Sequence, residues 1–139
     1  MRILALDLGK RRIGVAVSDE LGVTAQGLPT LDCRNKRTDL AELARIAKEK
    51  SASLILVGHP LNMSGEAGPQ AAWVADYAQA LHRETGLPVK LWDERLTSAA
   101  ASRLLRESNA RPDRKSGTVD RIAATILLQS YLDSFGFGQ

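Results

Sequence analysis

The chain has a single cysteine, Cys33, among 139 residues. One thiol excludes an intrachain disulfide and a thiolate zinc cluster. Aromatic residues make up only 4% of the sequence, which argues against a broad base-stacking platform for single-stranded nucleic acid. No apolar run is long enough to cross a membrane, and the first residues lack a signal-peptide pattern. A soluble, cytoplasmic protein without membrane contact is the expectation. Linkers rich in Pro, Gly or Ser, internal repeats and low-complexity segments are also missing, so residues 1–139 should form one domain of common size. Lys and Arg exceed Asp and Glu by 19 to 16, a net charge of +3, with a pI near 9.3. That mild excess is compatible with a polyanionic partner but does not demand one.

What is present starts with Ile3 to Asp19, ILALDLGKRRIGVAVSD. An apolar run carries one acid, Asp7, and breaks at Gly9. Lys10, Arg11 and Arg12 form a basic turn, and Ile13 to Val17 reads as a strand coming back. An unpaired carboxylate in a buried run is strongly destabilising. A bound cation would offset that cost. Hydrogen bonds from turn amides, or a pair with Arg11 or Arg12, would do so as well.

Val23 to Leu31 reads as a third strand, with Pro29 near its end, and Arg34 to Arg37 as a loop. A helix should begin near Asp39, capped by it with Glu42 three residues on, and present Leu40, Leu43, Ala44 and Ala47 on one face. Leu54 to Val57 is the short apolar run of a strand buried on both sides. It ends at Gly58 and leads into the loop HPLNMSGEAG. Pro69 suits the first residue of the next helix and Gly86 its stop. Trp73, Val74, Tyr77, Ala78 and Leu81 share a face of it and are most simply core. Val89 to Trp92 is a fifth strand, closed by Asp93-Glu94-Arg95. A helix from Thr97 or Ser98 to about Ser108, the candidate mobile loop NARPDRKSG (109–117) and a last helix from about Val119 to Leu132 complete the chain. Strands 1 to 3 can form an antiparallel meander, whereas strands 4 and 5, each reached through a helix, should lie parallel in the same sheet. The predicted fold is therefore three-layer α/β: a mixed five-stranded sheet with helices on both faces.

Sites in open α/β sheets gather where strands end. Asp7 lies on strand 1, Asp93 and Glu94 end strand 5, and Asp120 falls in the first turn of the last helix. Alternation allows only one of Asp93 and Glu94 to share a face with Asp7, and Glu94 is the choice made here. Three acids without His or Cys nearby favour a hard cation, Mg²⁺ or Mn²⁺. Two such ions are the usual apparatus for in-line phosphodiester hydrolysis. An ion pair with Arg95 would equally account for Glu94, and the helix dipole for Asp120. Lys10, Arg11, Arg12, Arg95, Arg114 and Lys115 form a basic rim suited to a nucleic-acid backbone. Asn62 and Ser64, in a loop with two glycines, suit approach to a phosphate through backbone amides; the same loop would equally serve as a strand-to-helix connection with Gly65 and Gly68 as turn residues. His59, before a proline, reads as structural more readily than as a proton shuttle.

ALDLGKRRIGVAVSD, VGHPLNMSGEAG, WDERLTSAAA and VDRIAATILLQSYL, in that order, resemble the YqgF family of RNase H-like proteins. Its members are named as pre-16S rRNA nucleases and, earlier, as Holliday junction resolvases. The resemblance runs from Arg2 to Leu132. It implies an RNase H-like fold and a cytoplasmic, metal-dependent nuclease acting in maturation of the 5′ end of small-subunit ribosomal RNA. Carried over by motif, the catalytic and metal-holding acids are Asp7, Glu94 and Asp120. Related resolvases carry a further acid at the end of strand 4, where this chain has Gly58-His59-Pro60. The expected partner is pre-rRNA, with the ribosome as a source of recognition, and the expected state a monomer or weak dimer. Alternative readings are a resolvase acting on branched DNA and a non-catalytic RNA-binding protein. The D-x-G and G-V-A elements also resemble the phosphate loop of actin-like ATPases and sugar kinases, but those close two such domains around a nucleotide.

Overall fold

The computed structural model describes residues 2–60, 68–93 and 118–134, with side chains in the last stretch from Arg121 onward. In chain order the elements are β1 (Arg2–Leu8), β2 (Arg12–Ser18), β3 (Ala25–Asp32), α1 (Lys36–Glu49), β4 (Ala52–His59), α2 (Pro69–Thr85), β5 (Val89–Asp93) and α3 (Thr118–Ser134). The strands make one five-stranded sheet in the order β3-β2-β1-β4-β5. β1, β2 and β3 pair antiparallel, while β4 runs parallel to both β1 and β5. This is the predicted mixed sheet. The helix expected over 97–108 and the loop expected over 109–117 lie outside the described residues.

Alternation along the strands divides the core in two. Leu4, Leu6 and Leu8 pack with Val15, Ile55 and Val57 beneath Leu43 and Ala47 of α1 and Val74, Tyr77 and Leu81 of α2. Ile3 and Ala5 pack with Ala16 and Leu56 beneath Ala124, Leu127, Leu128 and Leu132 of α3. Ile55, Leu56 and Val57 are fully buried, as a wholly apolar run between two helical layers must be. Where β1 and β2 meet at the far end, the Ile3 N–H donates to the buried Ser18 Oγ at 2.8 Å.

Local hydrogen bonds move several boundaries from their predicted places. Asp19 Oδ1 accepts from the Val23 N–H at 2.8 Å and the Thr24 N–H at 3.2 Å, so both residues stay in the turn and β3 starts at Ala25 rather than Val23. α1 starts at Lys36, not near Asp39, because Asn35 is its cap and accepts from the Thr38 N–H. Lys36 and Arg37 are therefore helical rather than loop. Asp39 is instead buried and accepts from the Arg34 N–H at 3.1 Å. β4 runs one residue past Gly58, and α3 extends to Ser134. Pro69 opens α2, and Gly86 ends it at φ 73°. One residue assigned to the core is not there: Trp73 is 38% exposed.

Candidate active site

Asp7 is the penultimate residue of β1, half-buried, at the end of the sheet where β1, β4 and β5 all terminate. It continues the Ile3 and Ala5 row and so faces α3, not α1 and α2. Its partner across the β1–β2 ladder is Gly14. On the other side, extending the Leu6–Val57 register by one residue sets Gly58 beside it. The acid therefore stands between two residues without side chains. Asp7 has a partner within the protein.

The basic turn is built by Gly9, whose N–H donates to the Arg12 carbonyl at 3.0 Å. A Cβ on Gly9 would stand 2.6 Å from that oxygen, so only glycine closes the turn in this form. Lys10 and Arg11 are exposed at its tip. Arg12 pairs across the β2–β3 ladder with Asp32 at 3.5 Å. The Cys33 N–H donates to the Arg11 carbonyl at 2.8 Å and fastens the turn to the start of α1.

Asp93 ends β5 beside His59 on β4. Val89 and Leu91 pack toward α1 and α2, whereas Trp92 packs toward α3 against Tyr131. Asp93 thus alternates to the face opposite Asp7, as the strand pattern predicts. Glu94, the acid favoured over it, lies outside the described residues, together with Asn62, Arg95, Arg114 and Lys115.

Asp120 falls in the first turn of α3. That turn is located by its neighbour: a Cβ on Gly27 of β3 would meet Arg121 Cγ at 2.6 Å and Cδ at 2.9 Å. Gly27 pairs with Ala16, and Ala16 with Ala5, one same-face row before Asp7. At its other end α3 reaches the far side of the sheet, where Gln129 accepts from the Ala25 N–H. The first turn of α3 therefore lies at the Asp7 end, over the Asp7 face. Among the described residues no group of three His, Cys, Asp or Glu comes together; Asp7 is the one predicted carboxylate whose side chain is described.

Sequence reasoning passed over Gly14, Gly58 and Gly27. The first was within reach. A four-residue turn over Gly9–Arg12 centres the hairpin register between Lys10 and Arg11, which sets residue 14 opposite residue 7.

The architecture is shared with solved resolvases. T. thermophilus RuvC in complex with Holliday junction substrate superposes with a TM-score of 0.64 at 14% identity, over 97% of this chain and 96% of that one. The fowlpox virus resolvase in complex with Holliday junction DNA gives 0.55 at 13% identity, over 97% and 99%. The fold is the RNase H-like one of the RuvC-type resolvases. Among curated proteins, one from Clostridium novyi is 47% identical over 96% of this chain and 99% of its own length. One from Moorella thermoacetica is 48% identical over 98% and 97%. Both carry the name "Putative pre-16S rRNA nuclease". The family model described as RuvX, Holliday junction resolvase, matches residues 1–134, and the chain belongs to this family, also called YqgF. No helix among the described residues is long and apolar enough to cross a membrane.

Proposed function

We propose that the chain is a divalent-metal-dependent nuclease that hydrolyses phosphodiester bonds of a ribosomal RNA precursor in the cytoplasm, maturing the 5′ end of 16S rRNA. The observation that carries this reading is the setting of Asp7. It is the penultimate residue of the central strand, faces the α3 layer, and stands between Gly14 and Gly58 in a chain whose curated relatives are named as nucleases. A half-buried oxygen donor at a strand end, flanked on the neighbouring strands by two glycines, fits a hard cation with part of its hydration shell.

Asp7, Glu94 and Asp120 would hold Mg²⁺ or Mn²⁺, which when bound supplies an activated water and neutralises charge on the phosphate. Lys10 and Arg11 at the turn hold the backbone phosphates and fix the register of the strand. Arg12, Asn62, Arg95, Arg114 and Lys115 extend the same grip. The protein works as a monomer or weak dimer on the pre-ribosomal particle.

The test is cleavage of 5′-extended precursor rRNA in assembling small subunits by the purified chain, with Asp7→Asn as control. Trimming by the wild type in Mn²⁺ or Mg²⁺, absent in the variant, is expected. An untouched precursor refutes the RNA assignment. A second reading, resolution of four-way DNA junctions, is favoured by the family description and by the junction complexes of the two solved neighbours. Paired symmetric nicks in a four-way junction, with the precursor left intact, would establish it.

A further inference from the structure

Three large apolar side chains are exposed among the described residues: Leu21 and Val23 in the turn between β2 and β3, and Trp73 on α2. The first two sit at the far end of the sheet. Trp73 sits at the other end, in the second turn of a helix that begins where β4 leaves the sheet. Among the described rings it meets Tyr77. Its ring centroid is 5.6 Å from that of Tyr77 at an interplanar angle of 51°. Tyr77 is itself 5% exposed, with Lys36 Nζ 5.9 Å over its ring. Lys36 is the first residue of α1, so the opening turns of α1 and α2 meet at this aromatic pair. Cys33 links the same place to the basic turn, its Sγ 3.8 Å from the Gly9 carbonyl.

The electrostatics of this end suit a polyanion. Lys10, Arg11, Arg34, Lys36 and Arg37 are all exposed here. Of the nearby described acids, Asp32 is paired with Arg12, Asp39 is buried against the Arg34 N–H and Glu42 is paired with Arg45, while Asp76 on α2 and the strand-end Asp7 and Asp93 oppose the cations. An exposed indole with a rigid backing, set among cations, is what an unpaired base and its phosphates require. A continuous duplex, its bases stacked inside, has no use for it.

We propose that Trp73 stacks an unpaired base of a strand whose phosphates run along Lys10, Arg11 and Lys36, over the end of the sheet. The substrate therefore has an unpaired stretch where it crosses the α1/α2 side of this end of the sheet. This specifies the substrate of the nuclease proposed above, but its test does not depend on cleavage. Binding of a fluorescently labelled 12-nucleotide RNA, alone and as a duplex, is measured in EDTA with wild type, Trp73→Leu and Trp73→Phe. The leucine variant should weaken single-strand binding about tenfold or more, with duplex binding unchanged, and phenylalanine should restore most of the loss. Tryptophan fluorescence should be quenched by the single strand in the wild type and not in Trp73→Phe. Equal weakening for both RNAs, unchanged single-strand binding, or a change in sedimentation alone, which would put a second copy on Trp73, each overturns the proposal. If the Trp73 pattern appears and neither precursor RNA nor junction DNA is cut, the nuclease reading fails and the stacking site stands.

Discussion

Gly27→Ala is a one-methyl change on an edge strand, yet it should reach the active site. Ala5, Ala16 and Gly27 form a row of small residues under the start of α3, and α3 seats on the sheet through the fully buried Ala124. The new methyl would stand 2.6 Å from Arg121 Cγ, 2.9 Å from its Cδ and 3.0 Å from Thr125 Oγ1. Carbon contacts settle at about 3.5–4.0 Å, an overlap of roughly 1 Å. Arg121 is exposed, but its Cγ and Cδ lie close to the helix backbone, so the methyl displaces the stem and with it the first turn of α3, at a cost of about 1–3 kcal/mol for overpacking. At roughly 4 °C per kcal/mol for a domain of this size, the melting temperature should fall by about 4–12 °C. Asp120 rides on the same turn, and a misplacement of about 1 Å can cost on the order of a hundredfold in rate. Cleavage measured well below the melting transition should drop accordingly. Arg121→Ala in the same chain removes the larger clash and should recover part of both losses. An unchanged melting temperature and rate in Gly27→Ala, or losses that Arg121→Ala leaves untouched, would refute this account of how α3 is seated.

Asp7→Asn should fold, lose cleavage and lose the rise in melting temperature that Mn²⁺ gives the wild type, because the amide lacks the charge a divalent ion requires. Without metal it should melt no lower than the wild type; a lower melting temperature with cleavage retained would make Asp7 a structural acid. Asp19 offers a pH test. Its carboxyl is held below its ordinary value of 3.8, first by the Val23 N–H, so its contribution is complete above that value and is lost as the pH falls through the lower folded-state value. Denaturation curves of wild type and Asp19→Ala should therefore differ at pH 7 and converge as the pH is taken below 3.8; a gap that persists in acid would show that the turn does not depend on the charge.

The strands were legible because each carries a local signal: Asp7 alone in an apolar run, Leu54 to Val57 without a polar residue, Pro69 and Gly86 bracketing α2. Alternation alone separated Asp93 from the Asp7 face. The boundaries that moved are those set by side chains bonding to nearby backbone. Asn35 outcompeted Asp39 as a cap because Asp39 turns inward to the Arg34 N–H, and Asp19 kept Val23 out of β3. Trp73 was misplaced for a different reason. The buried stripe of α2 runs through Ala71, Val74, Tyr77, Ala78 and Leu81, three and four residues apart, and Trp73 falls one position off that stripe, at the edge of the face.

Glycine and alanine in this sheet serve two opposite ends one row apart. In the row of Ala5, small residues let α3 descend onto the strands, and the space is filled by the Arg121 stem and Ala124. In the row of Asp7, Gly14 and Gly58 flank the acid without side chains of their own, and Trp92 follows beyond Gly58. A helix brought close in the first row delivers the N-terminal end of its dipole to the second, where partial positive charge lowers the cost of the Asp7 carboxylate. Enlarging the Ala5 row would move the helix away, and enlarging the Asp7 row would set a side chain beside the acid itself. The two substitutions should therefore separate: Gly27→Ala is relieved by trimming Arg121, whereas a side chain at Gly14 stands directly opposite Asp7 and should depress cleavage whether or not Arg121 is trimmed.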